Sequence, residues 1–197
     1  MESLIEDVFI YINEAIRCAM EDPAATLLVL MLLILVLITP GRKAADRVLM
    51  ALVICYIYLI LTSNVLARSA FDERKFSFEL FSSARREMVE NILLFTPLGM
   101  LMCAIDLKTK PITPWKNEKL YLFVRFLISM TFAILFTCVI EGLQFHLLVG
   151  VFTVDDIFCN TMGALCGYCF IFVIVLIVKK LRSQKDNTQK VQSDGQQ

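Results

Sequence analysis

Polar and ionisable side chains gather where three apolar segments of the sequence begin or end. Residues three or four apart share one face of a helix, so Glu141 projects beside Gln144, and Asp156 projects beside Asn160. An ionisable side chain inside a membrane span costs about 2.5–3.5 kcal/mol and therefore needs a partner, a cavity or a function. The sequence predicts a ligand-binding site built from six side chains: Asn91, Glu141, Gln144, Asp155, Asp156 and Asn160.

The chemistry of this predicted site is that of carboxylates and amides. Many acceptors with few cations favour a cationic or hydroxylated ligand, and two or three carboxylates can also hold a divalent cation or divide acid and base roles. We assign no metal and no cofactor, and we leave open which residues are catalytic. A structural alternative is that the side chains only bond helices together, with Asp155 and Asp156 capping the helix that follows. The predicted counterions are Arg68, Arg85 and Arg86.

The composition is that of a membrane protein. Of 197 residues, 58% are hydrophobic and 19% are charged, against about 45–50% and 25% in soluble domains. Mean hydropathy is +0.70, which excludes an ordinary soluble globular protein. Lys plus Arg and Asp plus Glu are both 19, so no net charge attracts nucleic acid, and a nucleic-acid partner is excluded. We expect an all-α, polytopic bundle.

Long apolar segments set the number of helices in that bundle. A helix that crosses a membrane needs about 20 mainly apolar residues, with a lower limit of about 17. About five segments qualify or nearly qualify, at residues 23–39, 48–66, 91–105, 121–149 and 156–178. Most Lys and Arg residues lie in loops 40–47 and 106–120 and in the tail, which predicts an N-terminus outside and a C-terminus inside.

The chain divides into four predicted regions. Residues 1–22 form an amphipathic interfacial helix, because apolar residues follow one helical stripe. Residues 23–66 hold two transmembrane helices, and residues 67–178 form a membrane domain with three more. Residues 179–197 are too polar to fold alone and are expected to be a disordered cytoplasmic tail.

Two glycines in the last apolar segment favour close helix packing. Gly163 and Gly167 are four positions apart and therefore lie on one helical face. Small residues at this spacing let another helix backbone approach. We therefore interpret them as packing residues.

Three sequence blocks resemble the VanZ-like family of membrane proteins. They are N-x-x-L-F-x-P-x-G at 91–99, E-x-x-Q at 141–144 and D-D-x-x-x-N-x-x-G at 155–163. The resemblance covers about residues 85–178 and does not extend to residues 1–80. Family members often carry an arginine and an aspartate before the D-D pair, where this chain reads Gly-Val-Phe-Thr-Val.

The resemblance implies a multi-pass cell-membrane protein of a Gram-positive bacterium. A named member of the family confers resistance to the glycopeptide antibiotic teicoplanin. We therefore expect a VanZ-like cell-envelope protein that contributes to such resistance by engaging a lipid-linked or lipophilic molecule in an outward-facing polar pocket. Its expected partners are membrane lipids and a lipid-linked envelope precursor or lipoglycopeptide. Oligomeric state is left open.

Two alternatives remain at this point. One is a membrane-embedded enzyme that acts on a lipid head group, with Asp156 or Glu141 as the base and Asn91 or Asn160 orienting the substrate. The other is a helical partner protein whose polar side chains only fix helix packing.

Overall fold

The computed structural model describes residues 29–34, 36, 43–66, 75–78, 85–109 and 118–194, with side chains described as far as residue 185 except at residues 75 and 76. Four long helices dominate this part of the chain: α1 (Ala44–Leu61), α2 (Arg85–Lys108), α3 (Glu118–Leu147) and α4 (Val154–Asp194). Two three-residue strands, β1 (Lys75–Ser77) and β2 (Val151–Thr153), precede α2 and α4.

Each of these helices is long and apolar enough to cross a membrane. Within the described residues the spans are Ala44–Leu66, Arg85–Lys108, Glu118–Leu147 and Val154–Lys185. The all-α membrane bundle is therefore confirmed. The predicted helix at 1–22 lies outside the described residues, and so does most of the predicted span at 23–39, of which residues 29–34 and 36 are helical.

Helices that follow one another in the chain run antiparallel. Tyr56 Oη donates a hydrogen bond to the Leu94 carbonyl oxygen at 2.6 Å, and Lys108 Nζ lies 3.4 Å from Asp46 Oδ1, so α1 and α2 run in opposite directions. One end of the bundle therefore collects the end of α1, the start of α2, the end of α3 and the start of α4. We call it the polar end (residues 62–66, 85–91, 141–147 and 153–160) and the opposite end the basic end.

Glycines bring α2 and α4 into backbone contact. A Cβ atom placed on Gly163 would overlap the carbonyl oxygen of Ile92, and one on Gly167 would overlap that of Thr96. On α2, a Cβ on Gly99 would overlap the carbonyl oxygen of Ala164. The packing role predicted for Gly163 and Gly167 is confirmed, because only glycine leaves room for a backbone at this distance.

A π-helical turn, Thr62–Leu66, ends α1. Thr62 Oγ1 donates to the Tyr58 carbonyl oxygen at 2.8 Å, and Asn64 Nδ2 donates to that of Ile60 at 3.0 Å. Side chains of these types compete with the backbone for helix carbonyls, and π turns occur often at functional sites. All of Thr62, Ser63, Asn64 and Val65 are buried.

The two strands pair in parallel at the polar end, which the sequence analysis did not predict. Phe76 lies opposite Phe152, and Ser77 lies opposite Thr153. Before β2, Leu148 closes α3 in the left-handed region with φ 61°. The Val149 N–H donates to the Gln144 carbonyl oxygen at 3.0 Å, a bond typical of a Schellman motif.

Two helices are longer than their predicted segments. α2 includes residues 85–90 and 106–108, outside the predicted 91–105, because its charged ends can lie in the membrane interface. α4 continues to Asp194, so the structure differs from the predicted disordered tail over residues 179–194. This stretch contains neither Gly nor Pro, and extending an existing helix avoids the cost of nucleation.

Candidate functional site

The polar end brings the predicted site residues of three helices together. Asn91 Nδ2 on α2 donates to Asp156 Oδ1 on α4 at 2.5 Å. Glu141 Oε2 on α3 accepts the backbone N–H of Thr153 at 3.1 Å. The start of α4 is therefore held from both sides by side chains that the sequence analysis selected.

Burial divides the six side chains into an inner and an outer group. Glu141, Gln144 and Asp155 are each 1% exposed, and Asn160 is 2% exposed. Asn91 and Asp156 are only partly buried. The Asn91–Asp156 pair is therefore the more accessible part of the set.

Two buried side-chain amides in the inner group each have a hydrogen-bonded nitrogen and an oxygen without a hydrogen-bond partner. Gln144 Nε2 donates to the Asn64 carbonyl oxygen at 2.9 Å, and Asn160 Nδ2 donates to Thr137 Oγ1 at 2.8 Å. Gln144 Oε1 and Asn160 Oδ1 are buried without a hydrogen-bond partner. An unpaired buried polar group costs about 1–3 kcal/mol and calls for an explanation such as a bound molecule or a functional role. Both atoms are acceptors.

The π turn contributes a part of this site that the sequence analysis missed. Asn64 is 5% exposed, and its carbonyl oxygen accepts the Gln144 bond. The signal was the polar triplet Thr62, Ser63 and Asn64 within the apolar segment 48–66. Buried polar residues within a span carry the same cost here as in the other helices.

Thr153, not an aspartate, caps α4. Thr153 Oγ1 accepts the backbone N–H of Asp156 at 3.1 Å, as expected of an N-cap residue three positions earlier. Asp155 and Asp156 lie in the first turn, where negative charge favours the positive end of the helix dipole. The alternative in which the two aspartates act as caps is therefore corrected. In a capping box the backbone N–H of the N-cap residue bonds to a side chain of its own helix. Here the Thr153 N–H bonds to Glu141 of α3 instead.

Gly150 allows the connection between α3 and β2 to lie against Gln144. A Cβ atom on Gly150 would lie 2.9 Å from Gln144 Oε1, which is closer than a carbon normally approaches an oxygen. Any larger residue here would displace the side chain that carries the unpaired acceptor.

Of the predicted arginine counterions, Arg86 pairs with a carboxylate of its own helix. Arg86 Nε lies 2.7 Å from Glu90 Oε1, and the Arg86 side chain is 70% exposed. Exposed pairs of this kind contribute about 0–1 kcal/mol. Arg85 is exposed, and Arg68 lies outside the described residues. The structure therefore gives Arg86 a partner on its own helix.

The sequence left open a divalent cation held by two or three carboxylates. Across the described ranges, no group of three or more His, Cys, Asp or Glu side chains is placed to hold a metal ion. The arrangement thus gives no support to the alternative in which the carboxylates share a divalent cation.

A second polar network lies at the basic end and was not predicted. Asp106, 2% exposed, accepts hydrogen bonds from Arg125 Nε at 3.0 Å, Ser129 Oγ at 2.6 Å and Tyr168 Oη at 3.1 Å. The network joins α2, α3 and α4. Its sequence signal was weak, because Asp106 directly follows the apolar segment 91–105 and was assigned to the loop after it.

The family comparison agrees with the geometry. The family model described as VanZ/LLP1 matches residues 25–177. The chain belongs to the VanZ-like family. The match begins well before residue 85, so the resemblance stated from the sequence blocks was too short, and the family region includes the segment that carries Asn64. Comparisons with curated proteins and with solved structures found no match.

Proposed function

We propose that this VanZ-like protein lies in the cell membrane of a Gram-positive bacterium with its polar end outward. There it engages the head of a lipid-linked or lipophilic molecule, such as an envelope precursor or a lipoglycopeptide, and so contributes to teicoplanin resistance. The excess of Lys and Arg at the basic end supports this orientation. Glycopeptides act outside the membrane on lipid-linked precursors, which is compatible with an outward site.

The observation that carries the proposal is the pair of unpaired amide oxygens in the inner group. Gln144 Oε1 and Asn160 Oδ1 are buried acceptors. The Asn91–Asp156 pair, which is partly buried, also lies at the polar end. A ligand that supplies hydroxyl, amide N–H or ammonium donors would satisfy acceptors of this kind. The ligand class that fits best is therefore a donor-rich head group on an apolar tail.

An enzyme acting on a lipid head group is the second candidate. One observation favours it: the Asp156 carboxylate is partly exposed, accepts a 2.5 Å bond from Asn91 and sits in the first turn of α4. An oriented and accessible carboxylate is suited to act as a general base. Overexpression should then create a new lipid species in extracts, and an unchanged lipid profile would count against this candidate.

Teicoplanin susceptibility tests the first proposal. A sensitive Gram-positive host expresses the wild-type chain, Asp156→Asn, Asn160→Leu or the control Glu90→Gln at matched membrane abundance. We expect protection from the wild type and the control and reduced protection from the two site variants. Protection that is equal in all four strains would refute the site, and no protection from any of them would refute the resistance role.

A further inference from the structure

A groove between α3 and α4 lies at the basic end, away from the site described above. Its volume is about 320 Å³, within the roughly 300–1,000 Å³ range of ligand pockets. Phe123 is 56% exposed, so the groove is open on its side. Its walls are apolar and aromatic, formed by Leu122, Phe123 and Phe126 of α3 and by Tyr168, Cys169 and Phe172 of α4.

One charged residue lines this groove. Lys119 lies in the first turn of α3 at the basic end, on the same helical face as Leu122 and Phe126. The stretch before it contains Lys108, Lys110 and Lys116, which outnumber the acidic Asp106 and Glu118. The groove therefore combines an apolar channel along the membrane with a cationic residue at the membrane surface.

Contacts of Tyr168 with neighbouring side chains hold the wall of the groove in place. Tyr168 packs edge-on against Phe126, with ring centroids 5.2 Å apart. Its hydroxyl donates to the buried Asp106, which also accepts bonds from Arg125 and Ser129. A wall held in this way is formed before a ligand arrives, which reduces the ordering cost of binding.

We propose that this groove binds one anionic glycerophospholipid of the adjacent leaflet. An acyl chain lies along Phe123, Cys169 and Phe172, and the phosphate lies near the Lys119 ammonium group. Charge complementarity selects this occupant, because basic residues between membrane helices favour anionic head groups. An apolar groove alone would accept any lipid chain, so the head group provides the selectivity.

Lipid retention by the purified full chain tests this proposal. The protein is exposed to equal amounts of phosphatidylglycerol and phosphatidylcholine with identical acyl chains, and the lipids that remain bound are counted by native mass spectrometry. We expect the wild type to retain one phosphatidylglycerol in preference to phosphatidylcholine. Lys119→Gln should lower that preference about fivefold, the effect of one basic residue at an anionic surface, whereas Lys43→Gln, at the start of α1, should leave it unchanged.

A second variant tests the channel itself. Cys169→Trp fills the groove and should abolish retention of both lipids, whereas Cys169→Ala should keep it; the melting temperature of each variant shows that it is folded. Equal retention of the two lipids by the wild type would overturn the proposal. A phosphatidylglycerol adduct that survives Cys169→Trp would also overturn it. A groove that holds no lipid because a second copy or the N-terminal segment of the chain covers it would overturn it as well.

Discussion

Gln144 on α3 donates a hydrogen bond to the backbone carbonyl oxygen of Asn64 at the end of α1, 80 positions away in sequence, at 2.9 Å. This bond joins the π turn to the candidate site. It makes the N-terminal part of the chain a structural part of the site, in agreement with a family match that begins at residue 25.

Loss of that bond should weaken the bundle. In Gln144→Met the side chain keeps its approximate volume but leaves the Asn64 carbonyl oxygen buried without a donor, so we expect about 1–3 kcal/mol of destabilisation. Denaturant unfolding in detergent measures it. Leu143→Met, one position away and 37% exposed, is the matched control, and equal stability of the two variants would contradict the role assigned to Gln144.

Replacing glycine by alanine should change the stability in opposite directions at a contact between α2 and α4 and at an open position on α3. Gly163→Ala places a methyl group on the Ile92 carbonyl oxygen, and overpacking of this kind costs about 1–3 kcal/mol. Gly142→Ala on α3 meets nothing within 4 Å, so it should stabilise its helix by about 0.5–1 kcal/mol. Melting temperatures should therefore fall for the first variant and rise or stay constant for the second.

Leu148 holds a backbone conformation that favours glycine. At φ 61° a side chain costs roughly 1–2 kcal/mol, so Leu148→Gly relieves strain but also removes apolar contacts. Leu148→Ala removes the same contacts and keeps the strain. We expect the glycine variant to unfold with a free energy about 1 kcal/mol higher than that of the alanine variant, and the reverse order would argue against a left-handed residue at this position.

Arg125 should matter much more than Arg86. Arg125→Met leaves the buried Asp106 carboxylate without its cation, and breaking a buried pair costs about 3–5 kcal/mol. Arg86→Met breaks an exposed pair with Glu90 and should cost less than about 1 kcal/mol. Yield of folded protein and denaturant unfolding distinguish the two, and similar losses for both variants would mean that the Asp106 network contributes little.

The sequence predicted the parts of the structure that depend on periodicity. Glu141 and Gln144, and Asp156 and Asn160, were paired by helical spacing, and the structure places all four at one end of the bundle. Gly163 and Gly167 were assigned to packing for the same reason. Asn91 was selected for the same site, and its bond to Asp156 joins α2 and α4.

The sequence could not predict features that depend on contacts between distant segments. Asp106 directly follows an apolar segment. Burial of its carboxylate is favourable only because Arg125 and Tyr168 approach it from other helices. Capping of α4 by Asp155 and Asp156 was one alternative, because aspartates are common caps. The cap is Thr153, two positions before Asp155, and its N–H bonds to Glu141. The pairing of β1 with β2 involves segments too short to carry a periodic signal.

The backbone contact between α2 and α4 has a mechanical consequence. Where side chains separate two helices, rotamer changes can absorb small sliding movements, but a carbonyl oxygen seated against a glycine has no such freedom. We therefore expect these two helices to move together. Any opening of the polar end is left to α1, whose last turn is a loosely wound π turn, and to α3, and these two are linked there by the bond between Gln144 and Asn64.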